Sequence, residues 1–453
     1  MTAPAFPPRS PPASLGSADL LLVLLFLLGI YTGYEFRVTP EVPIPSTVSG
    51  FAGLALLWRR RDDIAPAHLG GLMAVVLAYL LAVLSASDYA FLAKRFTGLV
   101  QLVYSLVISY ALFLTLRRAG RDQLAALFLT LCIVILAGCL LEPRTPLREV
   151  SDAVRSQIYS FGVYASDLRD ELLYGKVRPK LFTSEPSAVT FAYTLFAFAW
   201  LIVSRWRWKL AVYLGLLGGG LAAMPGPTLL LLLPLLGVYY LGPAGPDQRP
   251  DATRLDRWIK AGALGCVGVA VFALLAGSVY GERLGQVSSG QDPSFFYRVI
   301  GPALTAFDTI GRYPLAGAGL TGEGFIGADM LNVFVRSPHF SAAWKFDRPA
   351  EVLTNYFWLH WIYLGLAWGA ITLAAMTLWL RALAPGDVLF AWLAWAILGQ
   401  ASGAYVGPKT WTVLFLALAL ASLLRRDPTW AAPGRPRAPT PLRAVPAWQG
   451  AAP

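Results

Sequence analysis

The spacing of apolar residues limits this chain more than any other feature. Apolar windows run at 19–36, 44–58, 69–86, 97–116, 123–141, 187–204, 209–224, 227–242, 259–279, 356–380, 388–403 and 410–424. A helix needs about 20 apolar residues to cross a bilayer core, and helices alone satisfy their backbone polar groups there one segment at a time. The pattern predicts an all-α polytopic membrane protein with about 12 transmembrane helices, the shorter ones tilted or met by local thinning. Composition agrees, with 56% hydrophobic and 14% charged residues, far from a soluble domain. The split between the seventh and eighth spans rests on "AMPGPT", where two prolines flank a glycine.

Short basic loops set the expected orientation. "WRRRDD" follows span two, "RRAGRD" span four and "RWRWK" span six. Arg249, Arg254, Arg257 and Lys260 follow span eight, Arg381 span ten and Arg425–Arg426 span twelve. Every even-numbered exit is basic, which places these loops and both termini in the cytoplasm. The formal charge of +11 is this topology signal, so nucleic acid is not an expected partner. Cys132, Cys139 and Cys266 lie in apolar runs and make no metal or disulfide pattern. Residues 1–17, rich in Pro, Ala and Ser, read as a disordered N-terminus, 18–427 as the membrane domain and 428–453 as a disordered tail. The run from Leu20 lacks a small-residue cleavage site and reads as a retained span.

Two long loops, 142–186 and 280–355, are then external, and long loops escape the positive-inside bias. Their many arginines and lysines are nearly balanced by acids, so salt-bridged caps are the plain reading. In the first loop Leu147, Val150, Val154, Ile158, Phe161, Leu168 and Leu172 recur at near-helical spacing. They predict an amphipathic helix, resting on the membrane or on other spans and ending near Gly175. "KVRPKLFTSEPSAV" follows, with Ser184, Glu185 and Pro186 placed as the start of span six. In the second loop Asp292 and Pro293 open a helix whose apolar stripe is Phe296, Val299, Ile300, Ala303, Leu304, Phe307 and Ile310. Arg298 lies off that stripe, on the side of Thr305 and Thr309. Pro314 stops the helix. Gly317, Gly319, Gly322 and Gly324 then let the backbone turn sharply or approach a ligand.

At this point the chain resembles the O-antigen polymerase and O-antigen ligase superfamily of bacterial envelope glycosyltransferases. The pieces are Arg298, "YPLAGAGLTGEGF", Asn355 and "YLGLAWG", with "RPKLFTSEPSA" upstream of span six and "SDYAFLAKRFTGL", holding Lys94 and Arg95, before span four. They cover roughly residues 87–424. In ligases a catalytic histidine precedes the late asparagine, where this chain has Thr354, and "MPGPT" replaces the family's Ser-Arg turn. Both departures favour the Wzy-type polymerases.

The resemblance implies a GT-C-like membrane enzyme of the bacterial inner membrane, acting on its periplasmic face. Its donor and acceptor are undecaprenyl-pyrophosphate-linked oligosaccharides, its surroundings membrane lipids, and its protein partner a chain-length regulator. Transfer needs cations that hold pyrophosphate, and arginine does so with two oxygens at once. Arg298 comes first, then Arg178 and Arg312, with Lys180, Lys94 and Arg95 assisting. Glu185 and His339 are the candidate bases. Gly317 and Gly319 would fold a backbone loop over the charged lipid head, and Asn355 belongs to the late motif. No DxD and no His/Cys set with ligand spacing stands in the loops, so no metal and no cofactor is expected. A ligase acting on lipid A-core is the alternative. A lipid-linked glycan flippase is the alternative of another class, weakened by span interiors almost free of ionisable residues.

Overall fold

The fold is that of a computed structural model describing residues 14–426 apart from 40–41, 87, 160–163, 165–166, 242–253, 278–280, 282–284, 286–288, 290–294, 341–351 and 404. The C-terminal tail, most of the N-terminal one, the helix start at Asp292 and Pro293, and the cations Arg283, Lys345 and Arg348 lie outside the described residues. The described helices, in chain order, are α1 (Ser17–Thr32), α2 (Thr47–Arg59), α3 (Pro66–Leu84), α4 (Leu92–Leu116), α5 (Arg121–Leu141), α6 (Leu147–Ile158), α7 (Asp167–Tyr174) and α8 (Pro186–Val203). They continue with α9 (Lys209–Ala223), α10 (Leu232–Leu241), α11 (Arg254–Ala276), α12 (Gly301–Arg312), α13 (Gly327–Arg336), α14 (Tyr356–Leu383), α15 (Val388–Gly399) and α16 (Pro408–Arg426). Each apolar window holds one helix, while α6, α7, α12 and α13 fall in the two long loops. Among the described residues, the segments centred on α3, α4, α5, α8, α14 and α16 are long and apolar enough to cross a membrane, which makes this an all-α protein of the membrane-embedded type.

Two local departures from the sequence reading have simple causes. The first helix ends at Thr32 because Gly33 turns left-handed (φ 64°) and donates its N–H back to Gly29 O at 2.9 Å. A short antiparallel hairpin, β1 (Phe36–Thr39) and β2 (Val42–Ile44), fills the turn to α2 with Phe36 opposite Ile44. The end of the expected disordered N-terminus is ordered: Leu15 exchanges two hydrogen bonds with the Gln123 side chain, at 2.8 and 3.1 Å.

At one end of the bundle, loop arginines meet aspartates at helix starts. Arg59 and Arg60 pair with Asp19, Arg118 with Asp63, Arg205 with Asp122 and Arg425 with Asp387. The ends of α2, α4, α8 and α16 thus meet the starts of α1, α3, α5 and the α14–α15 turn. Exposed Trp58, Trp206, Trp208 and Trp258 ring this end beside the arginines, the placement of an interfacial aromatic belt. In the middle, α8 is buried on every side from Ala188 to Val203. Next to it α16 packs along α4, where Ser105 Oγ donates to Val406 O at 2.7 Å and the Ser109 and Thr412 hydroxyls are 3.3 Å apart.

The loop helices show the opposite sidedness from soluble amphipathic helices. The first predicted helix is two, α6 and α7, and α7 does end at Gly175. On α6 the buried residues are Ser151 and Arg155, while Val150 and Ile158 are exposed, as are Leu168 (71%) and Leu172 (79%) on α7. On α12 the buried residues include Thr305, Ala306 and Thr309, while Leu304 and Phe307 (65%) face outward. Much of each stripe therefore faces outward, while Phe296 is fully buried, Leu147 and Ile300 pack against the core and Phe307 meets Trp358 of α14 at 5.6 Å between ring centroids.

The fourteenth helix is broken. Gly365 leaves helical geometry (φ 63°, ψ −167°), and His360 Nε2 lies 3.1 Å from Gly369 O. In a straight helix nine residues span about 13.5 Å, so the two halves fold sharply toward each other.

Candidate functional site

The segment after α12 explains the break. Tyr313 to Ala318 inserts its backbone where α14 opens. Pro314 O accepts from Leu366 N at 2.8 Å and Ala367 N at 3.1 Å, Leu315 O accepts from Trp368 N at 3.2 Å, and Ala318 N donates to Ile362 O at 2.8 Å. The groups a broken helix would orphan are thus satisfied by protein, one of the ways irregular backbone persists at membrane depth. Glycine is required on both sides. A Cβ on Gly317 (φ 56°) would lie 2.3 Å from Ile362 O, and one on Gly365 would lie 2.7 Å from Gly317 N.

Lys94 and Arg95 serve this insertion. Arg95 is fully buried, donating through Nη2 to Ala318 O at 2.8 Å and through Nη1 to Asp88 O. Gly319, also left-handed (φ 78°), lies so close to Arg95 Nε that a Cβ would collide with it. Lys94 stands 3.7 Å from Glu323, whose other oxygen accepts from the buried Tyr363 hydroxyl. Arg312 also faces acids, Asp308 at 2.9 Å and Asp329 at 2.7 Å.

Arg298 sits at the other end of α12, about 20 Å of helix away. It lies in a π-helical turn, Phe296–Ile300, a distortion that recurs at functional sites. The residues before α14 fix this turn: Asn355 Nδ2 donates to Arg298 O at 2.6 Å and Thr354 Oγ1 to Tyr297 O at 3.2 Å. Asn355 also caps α14, its Oδ1 accepting from Phe357 N and Trp358 N, and its Nδ2 reaches Gln400 Oε1 at 2.8 Å. His339 follows α13, half-buried, and its neighbour Phe340 packs on Phe296. Arg298, His339 and Asn355 are thus gathered at one end of α12, while Arg312, Lys94, Arg95, Gly317 and Gly319 surround the tip at the other.

The loop before α8 is held with unusual care. Leu181 and Phe182 both have positive φ (31° and 62°), strain that persists only when the surroundings enforce it. Glu142 accepts from Lys180 N at 3.0 Å and Leu181 N at 2.9 Å, and Ser151 Oγ accepts from Phe182 N. Tyr31 and Tyr159 donate to Leu181 O and Phe182 O. Arg155, 2% exposed, donates to Thr183 O at 2.6 Å and Ser184 O at 3.1 Å. Arg178 pairs with fully buried Asp170 at 2.8 Å and stacks on Tyr174, while Lys180 pairs with Asp167 at 2.7 Å. What this frame delivers is Glu185, exposed at the cap of α8 and bonded to Ser187 Oγ.

Burial alone would raise the Asp167 carboxyl, but Lys180 and Arg148 outweigh it and hold the group below the usual range. A depressed pKa contributes stability above the ordinary aspartate value of about 3.9, and that stability is lost as pH falls through the lower folded value. Hydrogen exchange in residues 167–185 should stay constant from pH 7 to about 4 once corrected for intrinsic rates, and rise below that. Asp167→Asn should raise the neutral-pH rate and flatten the acid dependence. An acid response identical to that of the unsubstituted protein would contradict the pairing.

Sequence reasoning missed Glu142, Arg155 and Gln400, which read as ordinary loop and span-end residues, and it missed Lys409. That lysine, one residue into α16, lies 5.4 Å over the ring of Phe191. Its "GPK" context at a non-basic span end was the available signal. Comparison with models of known protein families and with curated proteins finds no match for this chain.

Proposed function

We propose that this chain is a membrane glycosyltransferase of the polysaccharide polymerase type, with the O-antigen polymerases as its relatives in design. On this reading twelve helices cross the bacterial inner membrane, both termini are cytoplasmic, and loops 142–186 and 280–355 lie outside. The observation that carries it is the π-turn bearing Arg298, fastened by Thr354 and Asn355 at the head of a broken span, in a membrane-type bundle. A guanidinium carried on a backbone turn fixed in this way suits the pyrophosphate of a lipid-linked glycan.

In the reaction a sugar hydroxyl oxygen of the acceptor attacks the anomeric carbon of the donor. The bond from that carbon to the phosphate oxygen breaks, and its electron pair leaves with undecaprenyl pyrophosphate. The hydroxyl proton passes to a base, Glu185 or His339. Arg178 and Lys180, facing acids, shape the first loop, while Lys94, Arg95 and Arg312, facing acids or backbone carbonyls, hold the glycine segment at the far end of α12 from Arg298. The break in α14 is filled by the chain's own backbone rather than left open to an ion, which favours transfer over transport.

Losing such a charge-stabilising donor costs about 3 kcal/mol, or roughly a hundredfold in rate. Arg298→Lys should therefore elongate lipid-linked repeats on the order of a hundred times more slowly, and Arg298→Ala more slowly still, with the protein folded in the membrane. Normal chain lengths from Arg298→Ala would remove this reading. A cysteine placed at exposed Leu168 should react with an impermeant thiol reagent added outside, and one at Trp206 should not. The reverse pattern would invert the topology.

A further inference from the structure

The last helix carries a charge that neither loop supplies. Ser105, which bonds to Val406, lies about 20 Å of helix below Leu92, the start of α4. The start of α16 is therefore set well down the bundle, and Lys409 is half-buried there, between buried Pro408 and Thr410. Phe191, over which its ammonium sits, is 1% exposed, so the side chain points inward between α8 and α16 and not to lipid. Among the described residues Lys409 makes no ion pair, and the carboxylate that acts on its charge is Glu185. Residues 400–403, just before α16, are tied to the Arg298 turn: Gln400 bonds Asn355, which bonds Arg298 O, and Ser402 O accepts from Tyr356 N at 2.7 Å.

An intramembrane lysine costs several kcal/mol unless a partner offsets it. A leucine or methionine would pack between α8 and α16 without that cost. Among the described residues Glu185 acts on this charge without forming an ion pair with it, so an anion from outside the chain would complete the pairing.

We propose that Lys409 is a binding residue for the pyrophosphate of the lipid-linked substrate, meeting it from within the bundle while Arg298 meets it from the loop. The inference rests on the transferase reading above. As the glycosidic bond breaks, negative charge grows on the departing phosphate oxygen, and a compact ammonium with three rotatable donors offsets it without demanding a planar partner.

The test uses the purified full-length chain in nanodiscs, titrated with undecaprenyl pyrophosphate and, separately, with phosphatidylglycerol as competitor, alongside thermal unfolding. Lys409→Met should weaken pyrophosphate binding by about tenfold or more, while its unfolding temperature stays equal or rises. Lys409→Arg should keep most of the binding. Equal binding by Lys409→Met and the unsubstituted chain would overturn the inference while leaving the transferase reading intact. Displacement by phosphatidylglycerol at equal concentration would overturn it in favour of a general headgroup site. Should Lys409→Met and Lys409→Gln both fail to fold, the lysine is structural and the inference falls. No binding by the unsubstituted chain would remove the transferase reading itself.

Discussion

Gly317→Ala should leave little folded protein. The left-handed backbone alone costs a non-glycine residue about 1–2 kcal/mol, and a Cβ pressed against Ile362 O and Gly365 N meets backbone that cannot step aside, adding about 1–3 kcal/mol. Roughly 4 kcal/mol is a large share of the 5–15 kcal/mol that holds a typical protein together. Gly365→Ala should behave alike, since its Cβ would strike the same segment from the other side. Gly311→Ala is the contrast: it lies in α12 with open space around it, and alanine there should stabilise by about 0.5–1 kcal/mol. Monodisperse recovery in mild detergent and the unfolding temperature would read all three. A Gly317→Ala protein as stable as Gly311→Ala would mean that the wedge does not occupy the break.

Arg155→Met should be nearly as damaging. It keeps most of the volume but strips Thr183 O of its Arg155 donor and leaves Ser184 O with Tyr164 N alone, in a loop that already holds two strained residues. A buried acceptor left unsatisfied costs about 1–3 kcal/mol, and the ion pair to Asp152 is lost with it, so the cost is about 2–3 kcal/mol. Its effect should be local: protease sensitivity and fast hydrogen exchange across 178–186, with the unfolding of the spans shifted less. Arg155→Met should also lose the proposed transfer activity, because Glu185 is positioned by the same frame. An unchanged exchange pattern there would mean that Arg155 is not the strut of this loop.

The helices were legible because lipid allows few alternatives to a long apolar run, and each window does contain one. The faces of the loop helices were not. In water an apolar stripe points inward, but beside a bilayer both protein and lipid accept it, and only packing decides. Val150, Leu168, Leu172 and Phe307 therefore carried no directional information by themselves. Pairings across distance were equally hidden. Gly317 and Gly365 each look like ordinary turn or helix glycines until the two backbones are seen in contact. Arg178 and Lys180 stood as pyrophosphate-binding candidates because their particular partners, Asp170 and Asp167, reach them only after α7 folds back. Arg298 and Asn355 were picked out by resemblance, and the π-turn that links them has no periodic signature at all. Lys409 was overlooked because one lysine at a span end usually marks nothing more than the boundary.

The broken span also bears on biogenesis. A 28-residue segment entering lipid alone, Tyr356–Leu383, has every reason to stay straight, since a continuous helix satisfies its own amides and carbonyls. Opening it at Gly365 becomes favourable only when Pro314 and Leu315 offer their carbonyls in exchange. Those residues leave the ribosome first, and chains fold from the N-terminus as they emerge. The wedge is thus already made when α14 arrives, and the span can bend as it docks. Moving the glycine segment to the far side of α14 would require a finished helix to be reopened inside the membrane. A circular permutant of that kind should insert its spans and still fail to mature.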